Sequence, residues 1–521
     1  MPKSQLPDAL LGEALKLRRA GRLPEAIKAA RRLTELEPRR LDGWFLWGTM
    51  ALASGRFSEA EQVLGEGARL SPPQARGRFL VPRARALVTL GRCAEAVEVA
   101  RTAVSEVTLA SDFNTLSAVL SQAGLPEEAL PLSERAVALE PQASDAWNNL
   151  GSLHQFLGRM DAAEVAYKRA VAEAPNAAAW LALARVRKWK VEEGFTARLA
   201  AVEAQNPLDE ARLAYARFKV LDDVGRYDEA FAALSEGAAK AKTALGGWDA
   251  AQEAETVAAW MAAFPTPMTP QAGKGGIRRL FIVGLPRSGT TLVERILAAH
   301  SGVQALGELQ SFGLAVKRAS KSRTPYLLDA DTVKRASRAD PADIAADYER
   351  ETAYLWDGQS ALTIDKLPHN HDYCGLIRKV FPDAIIVHVR RSPMDSLFGC
   401  YRLLFAHAHK WSYDFNDLAM HYDHYRRLMA HWKTVLGDGL IEVSLEALIE
   451  NPEREIRALL AACGLTFEDA CLSPHEAKGA VATASSSQVR KPINAEGVGV
   501  WRRYESGLAP LWTRLQSMGY V

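Results

Sequence analysis

The sequence predicts two architectures in series: a solenoid of paired helices, then an α/β domain on a mostly parallel sheet with a phosphate-binding type of loop. Three observations carry this. Glycines recur at a near-constant spacing through the first third of the chain. Residues 278–297, RRLFIVGLPRSGTTLVERIL, run from an apolar strand through a glycine-bearing turn into an amphipathic helix. Apolar stretches at 280–283, 361–364, 384–389 and 440–443 then alternate with helical patterns, which implies parallel strands joined by helical crossovers.

The glycines stand at 21, 55, 91, 124 and 158, spaced 34, 36, 33 and 34 residues apart. Alanine follows each by five residues (Ala26, Ala60, Ala96, Ala129, Ala163), and Pro38, Pro72, Pro141 and Pro175 follow four of them by seventeen. Small residues let two antiparallel helices approach closely, and the proline ends the second helix before the next unit begins. The best unit, 145–176, carries Trp147, Leu150, Gly151, Ala163, Tyr167, Ala170 and Pro175. It resembles the tetratricopeptide repeat. The array spans roughly residues 8–180 and continues more weakly, through Gly225 to Ala230, to about 240. Such a solenoid offers a groove for a protein or peptide; its plainer use is as a scaffold for docking or for a homodimer.

The Pro/Gly-rich run 264–276 reads as a linker. The expected organisation is therefore repeats over 1–245, a linker over 246–276 and a second domain over 277–521.

Composition excludes several classes. A net charge of +2 argues against broad nucleic-acid binding. No apolar run approaches the roughly 18–20 residues that span a bilayer. The opening stretch, MPKSQLPDALLGEAL, shows no apolar core of a secretory signal. Five scattered cysteines without CxxC pairs read as reduced thiols and not as a zinc site or disulfide framework. A cytoplasmic location is the expectation.

The loop Gly284-Leu285-Pro286-Arg287-Ser288-Gly289 opens a helix at Thr290. N–H groups at a helix start lack intrahelical partners, and the dipole there favours an anion. The Gly284-x4-Gly289 spacing matches the start of a nucleotide P-loop, but Thr290 stands where a nucleotidase or kinase places lysine. Arg287 supplies a different cation, and Thr291 adds a hydroxyl. The loop suits a phosphate ester whose chemistry is not phosphoryl transfer.

GLPRSGTTL resembles the 5′-phosphosulfate loop of sulfotransferases, which use 3′-phosphoadenosine-5′-phosphosulfate (PAPS). Four more stretches resemble that family in order and spacing. Leu306-Gly307-Glu308 falls where protein-tyrosine sulfotransferases carry their catalytic glutamate. Asp365-Lys366-Leu367-Pro368 resembles the catalytic-lysine motif. His388 to Asp395 resembles the strand and turn that hold the 3′-phosphate, and Ser485 to Asn494 the late serine and basic loop. The resemblance covers about 277–517 and implies the sulfotransferase fold. It also implies a donor cradle of Pro286, Arg287, Ser288, Gly289, Thr290, Thr291, Arg391, Ser392, Arg490 and Lys491. Two positions depart from the pattern: Gly399 stands where the family usually has a serine, and Leu445 where many relatives have tyrosine. Each removes a hydrogen-bond donor from the nucleotide site.

The chemistry implied has three tasks. A base takes the acceptor's proton, for which Glu308 is the candidate. A cation stabilises charge on the leaving oxygen as 3′,5′-ADP departs, for which Lys366 is the candidate, with Ser485 as a nearby donor. Arg287 and the loop hold the sulfate and 5′-phosphate. No metal is called for, since no polyphosphate must be neutralised.

By residue type alone Glu308 and Lys366 would be solvated side chains, Arg391 a structural ion pair, and Arg490 with Lys491 an exposed basic loop. His369, His371 and His388 read as packing histidines. Trp411, Tyr413, Trp501 and Tyr504 read as core, with one ring available to stack on adenine. The leading acceptor is a protein or peptide tyrosine; a glycan, lipid or small molecule is the alternative. A non-catalytic repeat scaffold is the other class, motivated by Gly399 and Leu445.

Overall fold

The computed structural model describes residues 6–190, 194–268, 276–406, 408–477, 479–481 and 488–521. The chain separates into two compact units, one of residues 1–153 with 350–354, the other of 154–349 with 355–521.

The first unit is helical. Its antiparallel pairs begin with Leu6–Arg19 and Leu23–Leu36 and continue through Ala110–Gln122 and Pro126–Leu139. The glycines at 21, 55, 91 and 124, and Gly158 in the second unit, all take left-handed φ values, between 68° and 84°, in the tight turn inside each pair. The alanine five residues later is fully buried in every repeat, where a larger side chain would push the two helices apart. The same Gly225 turn and buried Ala230 recur in the second unit.

The second unit holds the later helices and the sheet. Its five parallel strands are β1 (Arg278–Gly284), β2 (Val303–Ala305), β3 (Leu362–Asp365), β4 (Ile385–Arg390) and β5 (Leu440–Ser444). Their order is β2-β3-β1-β4-β5. The chain leaves β1 for one side of the sheet and later returns to the other. The crevice at the carboxyl end of β1 is therefore a topological switch point, where open α/β sheets bind ligands.

Both faces are covered, which explains why the strands read as continuous apolar runs. Leu280, Ile282, Val387 and Val389 pack on Val293, Ile296 and Leu297 of the helix Thr290–Ala298 and on Ile456 and Leu460. Phe281, Val283 and Ile386 face Tyr425, Met429 and Trp432 of the helix Phe415–Leu436.

The segment expected as a linker, 246–276, contains the helix Ala250–Ala263, capped by Asp249 accepting from the Gln252 N–H. Trp260 of that helix is fully buried against Tyr373 and Trp432. An amphipathic helix that close to the sheet core buries more apolar surface than an extended tether would. The core also takes in Tyr215 and Phe218 of the helix Pro207–Asp223. The Tyr215 hydroxyl donates to the Tyr401 carbonyl at 3.1 Å, and Tyr504 donates to Asp222 at 2.6 Å. Trp411, Tyr413, Trp501 and Tyr504 are all buried in this core.

Candidate active site

β1 ends in the loop 284–289, and the loop is shaped by three unusual backbones. Gly284 has φ 152°, and a side chain there would meet the Val389 carbonyl at 2.6 Å. Gly289, at φ 102°, caps the helix Thr290–Ala298, and a Cβ on it would meet Leu445 at 2.7 Å. Arg287 takes φ 68°, a left-handed conformation that costs an ordinary residue of order 1–3 kcal/mol and is held by its surroundings. Its carbonyl accepts from Arg391 Nη1 at 2.8 Å, the Pro286 carbonyl from the Cys400 thiol at 3.3 Å. Burial pushes that thiol up to about 12, so it stays a neutral donor.

The Arg287 guanidinium donates to Gln488 Oε1 at 2.7 Å. Burial, then the neighbouring Arg402 and Arg391, bring its pKa down to about 10, which still leaves it cationic at neutral pH. Three arginines converging around one loop create a positive potential that an anion would relieve. Among the described residues the buried Ser288 Oγ and Arg391 Nε have no hydrogen-bond partner.

The two residues that depart from the family pattern now have a physical reason. A Cβ at Gly399 would stand 3.0 Å from the Arg287 Cβ, so the glycine makes room for the arginine. Leu445 is buried and lies directly over Gly289, closing the helix start with an apolar contact.

Lys366 and Glu308 come together at the ends of β3 and β2. Leu306 N–H donates to the Ile364 carbonyl at 2.9 Å and Lys366 N–H to the Gly307 carbonyl at 3.0 Å, extending the pairing beyond both strands. The extension sets Glu308 beside Lys366, and the ammonium donates to Glu308 Oε1. Lys366 has no exposed side-chain surface, whereas Glu308 keeps 36% of its own. The lysine is enclosed; the glutamate side chain is partly exposed.

A second carboxylate, Glu294 of the loop's own helix, lies 3.7 Å from the Lys366 ammonium. Sequence reasoning missed it. The available signal was its position four residues after Thr290, on the same helical face as the loop hydroxyl. Burial foremost, and the charge of Glu308, raise the Glu294 carboxyl to about 6 against the opposing pull of Lys366. Asp365 is likewise enclosed, accepting from Tyr348 at 3.2 Å and Asn370 Nδ2 at 3.1 Å, and burial lifts it to about 8.

The remaining expected residues are placed as follows. Thr290 and Thr291 are buried in the first turn of the helix. Arg391 braces the loop and also donates to the Gly497 carbonyl. Ser392 caps the helix Pro393–Tyr401, with its N–H donating to Glu446 at 2.8 Å. Arg490, expected in the donor cradle, instead donates to the Phe156 carbonyl at 2.9 Å. Phe156 ends a helix, and its terminal carbonyl needs a donor from outside that helix. Lys491, also expected there, forms an exposed pair with Glu496 at 3.1 Å. Ser485 lies outside the described residues. Among the described residues no group of three or more His, Cys, Asp or Glu is arranged to hold a metal ion.

Residues 279–469 match the model of the Sulfotransferase family, and residues 11–75 and 120–186 match models of the tetratricopeptide repeat. The chain is 35% identical over 252 residues to an uncharacterized protein of Aquifex aeolicus (strain VF5), covering 46% of this chain and 32% of that one. It thus spans about a third of that relative's length. It is 25% identical over 270 residues to protein-tyrosine sulfotransferase 1 of Danio rerio, covering 45% of this chain and 71% of the relative. Among solved structures, MamA aligns with 31% of this chain and 93% of its own at 19% identity, with a TM-score of 0.28. The chain therefore carries tetratricopeptide repeats followed by a domain of the sulfotransferase family.

Proposed function

We propose that the second unit transfers a sulfuryl group from PAPS to an acceptor hydroxyl, with a tyrosine of a protein or peptide as the preferred acceptor. One observation carries the reading: an enclosed lysine paired with a half-open glutamate, linked through Glu294 to the helix of an arginine-bearing anion loop. The relationship to a protein-tyrosine sulfotransferase over 45% of the chain supports the tyrosine preference.

The residues present fit an anionic donor. Arg287, Ser288, Arg391 and the first-turn N–H groups would hold its phosphate and sulfate oxygens. A carboxylate such as Glu308 takes the acceptor's proton concertedly, because a phenol near pKa ~10 does not surrender it in advance. One sulfur–oxygen bond forms to the acceptor as the bond to the phosphate oxygen breaks. Lys366 neutralises the charge left on that oxygen. Gln488, adjacent to the expected serine loop, keeps the Arg287 fork oriented.

We place a polypeptide partner on the first unit. There a recess of about 530 Å³ is lined by Gly65, Ala68, Arg76, Leu80, Arg83 and Glu98. A cytoplasmic setting agrees with five free cysteines.

The test is transfer from radiolabelled PAPS to a tyrosine-containing peptide, with the phenylalanine analogue as control. Label confined to the tyrosine peptide supports the reading. Label absent from the peptide but present on a glycan, lipid or small phenol would replace the acceptor and keep the reaction. No label anywhere would overturn it.

A further inference from the structure

Lys366 is asked to do two things that conflict. At rest its ammonium is bound to Glu308. During transfer Glu308 takes a proton and loses its charge, and the lysine must then point at the leaving oxygen. A buried ammonium that loses a counter-charge is strongly disfavoured unless another carboxylate remains beside it.

The structure supplies the missing counter-charge. Glu294 is buried, stands 3.7 Å from Lys366, and sits on the helix that begins at the phosphate loop. Its carboxylate therefore draws the ammonium toward the loop, while Glu308 draws it toward the acceptor side. Resting on the sulfuryl-transfer reading, we propose that Glu294 is a positioning residue that keeps the Lys366 ammonium charged and aimed at the donor once Glu308 has accepted the proton.

The groups facing Glu294 are consistent with this role. Lys366 lies beyond the end of β3 and Glu308 beyond the end of β2, and Arg295 is its helix neighbour. Asp365, on β3, is held by Tyr348 and Asn370, so its hydrogen bonds are committed away from the lysine. Among the described residues, Glu294 and Glu308 are the carboxylates paired with Lys366. With burial lifting it to about 6, it is charged at neutral pH and becomes neutral in mild acid.

The test uses the full chain, PAPS and the tyrosine peptide, with kcat measured from pH 5 to 9 for wild type, Glu294→Gln and Glu294→Asp. For Glu294→Gln a fall in kcat of about 10–100-fold is expected, as for partners that orient a catalytic group. KM for PAPS and the affinity for 3′,5′-ADP should stay within about twofold. The wild-type fall in kcat below about pH 6 should be missing from the Gln profile. Glu294→Asp, which restores the charge one methylene short, should recover part of the rate and the acidic limb. If Gln instead keeps the wild-type kcat and pH profile and only lowers the unfolding temperature, Glu294 is structural and the inference fails alone. Were Gln not to fold, an Asp variant with a wild-type rate and no shift in its acidic limb would overturn the inference equally. A wild type that binds 3′,5′-ADP yet transfers nothing would remove the reaction itself, and the inference with it.

Discussion

The Lys366 ammonium is wholly enclosed and donates to Glu308, whose carboxylate remains a third exposed. Under the proposed reaction this asymmetry gives the two residues different roles. The buried cation is fixed by its surroundings, and the open carboxylate is free to meet an incoming hydroxyl. Glu308→Gln preserves shape, and Glu294 still compensates the lysine. The variant is expected to bind 3′,5′-ADP within about threefold of wild type while kcat falls about 10²–10³-fold. Calorimetry and peptide sulfation separate the two effects; near-normal turnover would remove Glu308 as the base.

Gly399 gives a counter-intuitive expectation. Restoring the serine common in the family should not help this protein, because the new Cβ would sit 3.0 Å from the Arg287 side chain. Gly399→Ser is expected to weaken 3′,5′-ADP binding by about tenfold, roughly 1.4 kcal/mol. Tighter binding would show that the arginine tolerates displacement and that the glycine is a genuine loss.

Gly289 tests the geometry of the loop independently of chemistry. An alanine there is strained at φ 102° and meets Leu445 at 2.7 Å. Gly289→Ala is expected to destabilise the second unit by about 1–3 kcal/mol in denaturant titration. Measured in a Leu445→Ala background, where the clash is gone but the backbone strain remains, the same substitution should cost less than in wild type but still destabilise. No cost in that background would mean that the backbone strain is negligible.

Asp365 makes stability depend on pH. In the unfolded chain its carboxyl titrates near 4; burial raises it to about 8 in the fold. Between those values only the unfolded chain has lost the proton, so the fold is disfavoured by about 1.4 kcal/mol for each pH unit crossed. Glu294, raised to about 6, adds in the same direction over its lower window. Glu253, lowered to about 2 by His421 and His424 against the opposing effect of burial, adds stability that is lost only in acid and is constant over this range. Asp365→Asn should therefore flatten the decline in unfolding free energy from pH 5 to pH 8. A decline as steep as wild type would assign it to other groups.

The repeats were legible because each glycine turn and each alanine contact leaves the same residue at the same spacing. Four strands were legible within two residues because burial on both faces makes them continuous apolar runs. β2 was not, since three residues hold no pattern. The helix Ala250–Ala263 was hidden by the Pro/Gly run beside it, although Asp249 and Trp260 mark its cap and its buried face. Within the site, Arg287, Glu308 and Lys366 were singled out by motif spacing, and the structure pairs Lys366 with Glu308. Glu294 was not, because a glutamate in an amphipathic helix reads as solvated until the fold shows the lysine across from it. Arg490 and Lys491 were expected in the donor cradle because a basic loop beside a nucleotide motif looks like a phosphate contact. Only three-dimensional structure reveals the helix-end carbonyl and the glutamate that occupy them.

In the proposed reaction the turn around Arg287 grips a 3′-phosphoadenylate. Calorimetric titration of 3′,5′-ADP and of ATP with magnesium into wild type and Arg287→Ala tests it directly. The account expects 3′,5′-ADP to bind wild type, to bind the alanine variant at least tenfold more weakly, and ATP to bind neither measurably. Preference for ATP, or 3′,5′-ADP binding indifferent to the loss of Arg287, would contradict it.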